Sequence, residues 1–174
     1  MKPDKIVIHC SASEWGTSHV IDLWHRERGW KGIGYHVDIM NGFPTADHYK
    51  RNRLIHILDG VPEMGRPLDA DEDLEADEMG AHCYGYNAST LAVCLIGDKT
   101  FTRSQITMLV KVVRWLQVQF RIDTRGIVGH CEMPTAGGKT CPNLDMGIVR
   151  SLIEAKSEGM RLLKAIPNLK QEVW

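Results

Sequence analysis

The chain has 174 residues, a length typical of a single domain with a sizeable buried core. Its formal net charge is −1, with 43% hydrophobic and 25% charged residues, so its composition is that of an ordinary globular protein and predicts no nucleic-acid partner. Its five cysteines are an odd number, which argues against a disulfide framework and for reduced thiols or a bound metal.

The N-terminal residues MKPDKIVIHCSAS carry no long apolar run and no cleavage pattern, so the sequence predicts no signal peptide. No stretch approaches the roughly 20 apolar residues that a membrane span needs, so no membrane insertion is expected. Both features indicate a protein that is made and folded in a cytoplasm.

The first half of the chain alternates predicted strands and helices. The apolar run at residues 6–8 predicts a buried strand that ends at His9. Ser18 is expected to cap a helix that runs to Arg28 and ends at Gly29. Further strands are predicted over residues 35–40, over 54–58 up to the turn pair Asp59-Gly60, and over 91–96.

The second half contains the strongest helix signal. Thr102 and Gln105 have the spacing of a capping box, in which two side chains satisfy backbone N–H groups at a helix start. The helix that follows is expected to end near Arg121. Its predicted apolar face consists of Ile106, Leu109, Val110, Val113, Leu116 and Phe120. The remaining predictions are a fifth strand over residues 126–129, a helix over 146–156 and one more short helix before Pro167.

An acidic run occupies residues 69–78. A solvated loop or helix face is the favoured interpretation, because charge runs usually face water. Metal binding is the weaker alternative, since the run does not repeat the spacing of a calcium-binding loop.

Two histidines follow apolar runs, and one cysteine lies on a tight loop. His9 ends the first predicted strand and His130 follows the fifth, while Cys141 stands eleven residues later beside glycine and proline. Histidine and cysteine suit Zn²⁺, and a catalytic zinc takes three protein ligands plus a water. If the two strands are neighbours, both imidazoles converge, and Cys10 and Cys131 turn away to pack as small hydrophobes. Spacing alone leaves open the alternative of two strand-end histidines and a buried thiol.

Five stretches carry a resemblance to a known family. They are IVIHCSAS (6–13), IDLWHRERGWKGIGYH (21–36), GRP (65–67), GAHCYGYNASTLAVCLIGD (80–98) and GHCEMPTAGGKTCPNLD (129–145). Together, and in this order, they resemble the zinc-dependent N-acetylmuramoyl-L-alanine amidases, a family that also contains the peptidoglycan recognition proteins. The chain is most similar to the short phage endolysins of that family. The resemblance implies an α/β fold with a central mixed β-sheet flanked by helices on both faces.

The resemblance implies a zinc site with His9, His130 and Cys141 as ligands, and it implies that Tyr35 and Lys139 are catalytic. Lys139 lies two residues before Cys141, so its ammonium is expected to stabilise the oxyanion of the tetrahedral intermediate. Tyr35 is expected to orient the attacking water or to take part in proton transfer. The alternatives are a solvated loop lysine and a packing aromatic.

His82 and Asn87, in the stretch AHCYGYN, resemble groove residues that contact the muramyl peptide in this family. The alternative for Asn87 is a turn residue before the fourth strand. An insertion at about 41–53 and the acidic segment 69–79 depart from the family pattern, and both are expected to border the groove. Some relatives use a glutamate as general base; it has no evident equivalent here, and Glu132 is expected to face elsewhere.

The expected function is hydrolysis of the amide between N-acetylmuramic acid and L-alanine in peptidoglycan, by a phage-type endolysin that lyses bacteria. Residues 1–157 are expected to form the catalytic domain, and residues 158–174 a helical tail without a separate wall-binding module. The protein is expected to be a monomer in the host cytoplasm that reaches the cell wall after release.

Two other functions remain open at this point. One is a non-hydrolytic muramyl-peptide-binding module, but the resemblance favours an enzyme, because non-hydrolytic relatives typically lack the cysteine that Cys141 matches. The other is a cytosolic recycling amidase that acts on soluble anhydro-muropeptides. Assays on intact sacculi and on soluble fragments distinguish this recycling amidase from a phage-type endolysin.

Overall fold

The computed structural model describes residues 1–155 and contains one mixed sheet. Its strands are β1 (Lys5–Cys10), β2 (Val37–Asn41), β3 (Asp59–Met64), β4 (Thr90–Leu95) and β5 (Ile127–Gly129), in the spatial order β3-β2-β4-β1-β5. Only β3, at one edge, runs antiparallel to its neighbour. The helices are α1 (Ser18–Glu27), α2 (Ala46–Lys50), α3 (Arg103–Phe120) and α4 (Met146–Glu154). The predicted fold class is confirmed, while the predicted tail helix lies outside the described residues, as does the domain boundary after residue 157.

The two faces of the sheet have different partners. Ile6 and Ile8 of β1 and Val93 of β4 belong to a core cluster that also contains Leu109 and Val149, from α3 and α4. Side chains alternate along a strand, so His9 and Cys94 point to the opposite face. That opposite face is the one that α1 approaches, because the Ser18 hydroxyl donates to Asp38 of β2 at 2.7 Å.

The start of α3 has the predicted capping box. The Thr102 hydroxyl accepts the Gln105 backbone N–H at 3.0 Å, and the Gln105 side chain accepts the Thr102 N–H at 3.0 Å. The prediction that Ser18 caps α1 is wrong: the Thr17 hydroxyl accepts the N–H of Val20. Ser18 is instead the first helical residue, and its hydroxyl is directed into the interior.

The strand predicted over residues 54–58 is wrong. That segment is irregular and ends in a 3-10 turn at His56–Leu58, and β3 begins at Asp59, where the sequence predicts the stop. β3 lies at the sheet edge, which is where a strand tolerates the missing N–H of Pro62. Gly60 has a φ of +80°, and a Cβ there would lie 2.8 Å from the Cβ of Ser104. Asp59 and Gly60 therefore lie in a strand rather than in a turn. The close packing of α3 against Gly60 leaves no room for a side chain there.

The two segments that depart from the family pattern have different structures. The insertion carries the short helix α2, whose N-terminus is capped by the Thr45 hydroxyl. The acidic run is a loop in which Asp69, Asp71 and Glu75 are exposed, as the solvated interpretation predicts. The buried carboxylate of Glu78 stabilises this loop, because it accepts the backbone N–H groups of Asp69 and Glu75. No helix within residues 1–155 has the length and apolar character to cross a membrane.

Candidate metal centre

The fold brings the three predicted ligands together. β1 and β5 are parallel neighbours with Ile8 opposite Gly129, so His9 and His130 follow at the same end of the sheet. Their ring centroids lie 4.6 Å apart. One ligand atom from each of His9, His130 and Cys141 lies within 4.8 Å of the other two.

The donor set fits a tetrahedral metal ion. The Cys141 Sγ lies 3.8 Å from the Nδ1 of His9, and two ligands bound at 2.0–2.3 Å to a tetrahedral centre lie roughly 3.5 Å apart. Burial lowers the pKa of His9 well below its ordinary value, and His82, His130 and Lys139 lower it further. Burial and Lys139 also lower the pKa of His130. Both imidazoles are therefore neutral at pH 7, the form that binds a metal.

Backbone contacts hold the Cys141 loop against β1. The Cys131 N–H donates to the Cys141 carbonyl at 2.7 Å, and the Cys10 N–H donates to the Cys141 Sγ at 3.2 Å. Cys10 is buried in the core, as predicted. The prediction that Cys131 also packs as a small hydrophobe is wrong, because its side chain is exposed. The reason is that His130–Glu132 forms a 3-10 turn, to which strand alternation does not apply.

His82 and Asn87 lie behind the metal centre. The Nδ1 of His82 is 3.1 Å from the Nε2 of His9, in hydrogen-bonding contact, and its other ring nitrogen lies 3.3 Å from the Thr90 hydroxyl. The Asn87 side-chain oxygen accepts the backbone N–H groups of His82 and Cys83 at 2.9 and 2.8 Å. The His82 contact orients the candidate metal ligand His9, and the Asn87 contacts shape the turn at His82 and Cys83. Contact of either residue with a muramyl peptide stays a prediction.

Tyr35 lies beside His9, with ring centroids 5.1 Å apart. Burial raises the pKa of its phenol well above the ordinary value, so the hydroxyl keeps its proton. Its position depends on His25, whose ring lies 5.4 Å away and whose Nδ1 accepts the Gly34 N–H at 2.9 Å. No sequence pattern marks His25 for this role, in which it holds the loop before β2 through the Gly34 N–H.

Lys139 and Glu132 differ in whether their charges are paired with another side chain. Lys139 is exposed, forms no ion pair within residues 1–155, and its positive charge lowers the pKa of His9 and His130. Its ammonium is therefore available to a developing negative charge near the imidazoles. Glu132 is engaged elsewhere, as predicted: Arg150 donates to both of its carboxylate oxygens at 3.0 Å, and the Gly129 N–H donates at 2.8 Å.

A mixed sheet that presents a His-His-Cys group at one end, with a phenol and an ammonium beside it, is typical of hydrolases with a catalytic metal. Comparison with known proteins agrees with this class. Residues 1–144 match the family model described as N-acetylmuramoyl-L-alanine amidase, and the chain belongs to that family. It is therefore an enzyme of the amidase type, as the sequence predicts.

The similar proteins include phage endolysins, which match this chain over most of their own length. The endolysin of Escherichia phage T7 is 32% identical over 156 residues, and that of Klebsiella phage KP32 is 30% identical over 154; each match spans 82% of both chains. The solved amidase LysC from Clostridium intestinale has a TM-score of 0.67 at 24% identity, covering 90% of this chain and 88% of its own. Drosophila PGRP-LB has a TM-score of 0.60 at 20% identity, covering 90% and 83%. These two structures share the fold.

Proposed function

We propose that this protein is a zinc-dependent, endolysin-type amidase that cuts the bond between the lactyl group of N-acetylmuramic acid and L-alanine in peptidoglycan. The convergence of His9, His130 and Cys141 within 4.8 Å is the observation that carries the proposal. Phage relatives that bear the name endolysin support the lytic role. The protein acts as a monomer, made in the host cytoplasm and working on the wall after release.

Zinc is the metal that this donor set favours. A thiolate and two imidazoles are poor ligands for magnesium or calcium, which prefer oxygen. One thiolate and two neutral imidazoles around Zn²⁺ leave a net charge of +1, which suits a nucleophilic or developing anionic oxygen. When bound, the ion polarises the scissile carbonyl and lowers the pKa of a water molecule.

The side chains around the ligands supply the remaining chemistry. The Lys139 ammonium stabilises the oxyanion of the tetrahedral intermediate, a charge that is absent from the ground-state amide. The Tyr35 phenol orients the attacking water, because its ring lies against His9 and its loop is held by His25. His82 fixes the orientation of the His9 ring through the 3.1 Å contact between their nitrogens.

The bond that is cut can be determined by digesting purified sacculi and analysing the products by mass spectrometry. The expected products are free stem peptides with new L-alanine amino termini and glycan strands without new reducing ends. Hydrolysis of the glycan would instead require two carboxylates flanking a glycosidic bond. Reducing ends that appear in step with lysis, without new amino termini, would contradict the proposal.

The same preparation tests the metal and the alternatives. Treatment with 1,10-phenanthroline is expected to stop digestion, and added zinc is expected to restore it. Faster turnover of soluble anhydro-muropeptides than of sacculi would favour a recycling amidase. Binding of muramyl peptides without any product, by protein that contains zinc, would favour the non-hydrolytic module.

A further inference from the structure

A row of polar side chains crosses the sheet and leads to the metal centre. Strand register places Glu63 of β3 opposite Asp38 of β2, Asp38 opposite Cys94 of β4, and Cys94 opposite His9 of β1. Residues directly opposite each other on neighbouring strands point to the same face. Strands are roughly 4.8 Å apart, so Asp38 lies about 10 Å from His9 along the row, with only Cys94 between them.

Asp38 is a buried acid that the proposed chemistry has not used. It has no solvent exposure, and its Oδ2 accepts the Ser18 hydroxyl at 2.7 Å. Its Oδ1 is buried without a hydrogen-bond partner of standard geometry within residues 1–155, and no cation in that range pairs with it. A carboxyl group in this state costs stability, because burial without full hydrogen bonding is unfavourable. Such a group calls for a functional explanation.

The Cys94 thiol connects Asp38 with Tyr35. Burial raises the pKa of this thiol well above its ordinary value, the charge of Asp38 raises it further, and the neighbouring Tyr35 hydroxyl lowers it. The phenol of Tyr35 is affected by the same neighbours, because after burial the groups that raise its pKa include Cys94 and Asp38. The thiol hydrogen is directed at the Leu95 carbonyl over a long 3.7 Å and is therefore weakly held. The thiol thus has both the Tyr35 phenol and the free oxygen of Asp38 as neighbours.

We propose that Asp38 is a positioning residue for Tyr35 and acts through the Cys94 thiol. When Asp38 is ionised, its oxygen draws the thiol hydrogen and, in turn, the phenol hydrogen toward the interior. The phenol oxygen then presents a lone pair to the attacking water and orients it, while every proton stays on its own atom. This inference rests on the role proposed above for Tyr35.

Asp38 changes its charge in a useful pH range. Burial raises its pKa to about 7; the hydrogen bond from Ser18 lowers it, and the neighbouring Glu63 charge raises it. The groups that face Asp38 are Ser18 of α1, Glu63 of β3, Cys94 of β4 and the Tyr35 phenol. The carboxylate form therefore predominates above pH 7, and the neutral form, which Asn resembles in shape and charge, predominates below it.

The test is the pH dependence of Asp38→Asn, measured as kcat and KM on peptidoglycan fragments from pH 6 to pH 8.5. The variant should match the unchanged protein at pH 6 and have a kcat about tenfold lower at pH 8.5, with the same KM. A tenfold loss is at the low end of what orienting partners contribute. Its zinc content should be unchanged. An equal loss at every pH, or no loss at pH 8.5, would overturn the inference.

Two neighbours provide variants that move the midpoint in opposite directions. Ser18→Ala removes a hydrogen bond that lowers the pKa of Asp38, so its kcat profile should shift to higher pH. Glu63→Gln removes a charge that raises this pKa, so its profile should shift to lower pH. Shifts in the same direction, or none, would contradict the assignment to Asp38.

A readout independent of activity is a ¹³C NMR titration of the side-chain carboxyl groups. The unchanged protein should show one carboxyl group with a pKa near 7, and this group should be missing from Asp38→Asn. If the unchanged protein shows no such carboxyl group, the inference is overturned, whether or not the variant folds. Activity of Tyr35→Phe distinguishes a failure of the proposed role of Tyr35 from a failure of the proposed role of Asp38. Full activity of Tyr35→Phe would reject the role of Tyr35, whereas an inactive Tyr35→Phe with a pH-independent Asp38→Asn effect would reject only the role of Asp38.

Discussion

The Nδ1 of His82 lies 3.1 Å from the Nε2 of His9, so one imidazole holds the ring of a candidate metal ligand from behind. The contact leaves the Nδ1 of His9 facing Cys141, 3.8 Å from its sulfur. A ligand whose far nitrogen is engaged in this way has one ring orientation and one tautomer. The arrangement explains why His82 is buried although it follows the exposed acidic loop.

Replacement of this supporting imidazole is expected to weaken metal binding. His82→Ala should lower zinc affinity by about 10–100-fold, because the His9 ring loses its orienting partner. Competition with a chromophoric chelator measures the change. His19→Ala, at an exposed position on α1, is the matched control and should bind zinc normally. Unchanged affinity in His82→Ala would favour the groove-contact prediction for this residue.

The purified protein is expected to contain about one zinc per chain. Cys141→Ser combined with His130→Ala should abolish this content, because two of the three donors are lost. Elemental analysis of protein prepared without chelators measures it. Cys131→Ser removes the exposed neighbouring thiol and should leave the zinc in place. Zinc that persists in the double variant would refute the ligand assignment.

Lys139→Ala is expected to lose activity by about 10²–10³-fold while keeping its zinc and its fold, because removal of one oxyanion donor has that effect. Turnover of peptidoglycan fragments, with zinc content measured in parallel, tests this. Lys111→Ala removes an exposed lysine from α3, on the other side of the sheet, and should be fully active. Near-normal turnover of Lys139→Ala would make this residue an ordinary loop lysine.

The protein is expected to lose stability in mild acid. Burial is the main cause that lowers the pKa of His25 and His36 to about 4, so in the folded chain both stay neutral at pH values where the unfolded chain is protonated. The unfolded state binds more protons below pH 6.5, so this stability is complete above pH 6.5 and is lost as the pH falls toward 4. Each residue should account for about 2–3 kcal/mol of the loss.

Urea unfolding between pH 7.5 and pH 4.5 measures this loss. His36→Gln should reduce the pH dependence of the free energy of unfolding, because the glutamine does not titrate. His19→Gln, at an exposed histidine, should keep the slope of the unchanged protein. A slope that His36→Gln leaves intact would show that other groups cause the acid sensitivity.

The sequence alone determined the features that depend on neighbours in the chain. The α3 capping box is a local pattern, since Thr102 and Gln105 satisfy each other within one helical turn, and the apolar period of that helix is local as well. The candidate ligands His9, His130 and Cys141 were also accessible, because each belongs to a stretch with a family resemblance. The short distance between His9 and His130 then follows from the pairing of β1 with β5, and hydrogen bonds from Cys10 and Cys131 bring Cys141 beside them.

Only the tertiary structure decided the features that depend on packing between distant segments. Asp59 and Gly60 predict a turn, yet they lie in β3, because an edge strand tolerates Pro62 and α3 approaches Gly60 too closely for a side chain. Asp38 occupies one position in an apolar run, and only strand register shows that it shares a row with His9. The His82 contact joins residues 73 positions apart. Local pattern carries no information about such pairs, because burial and register are set by the whole sheet.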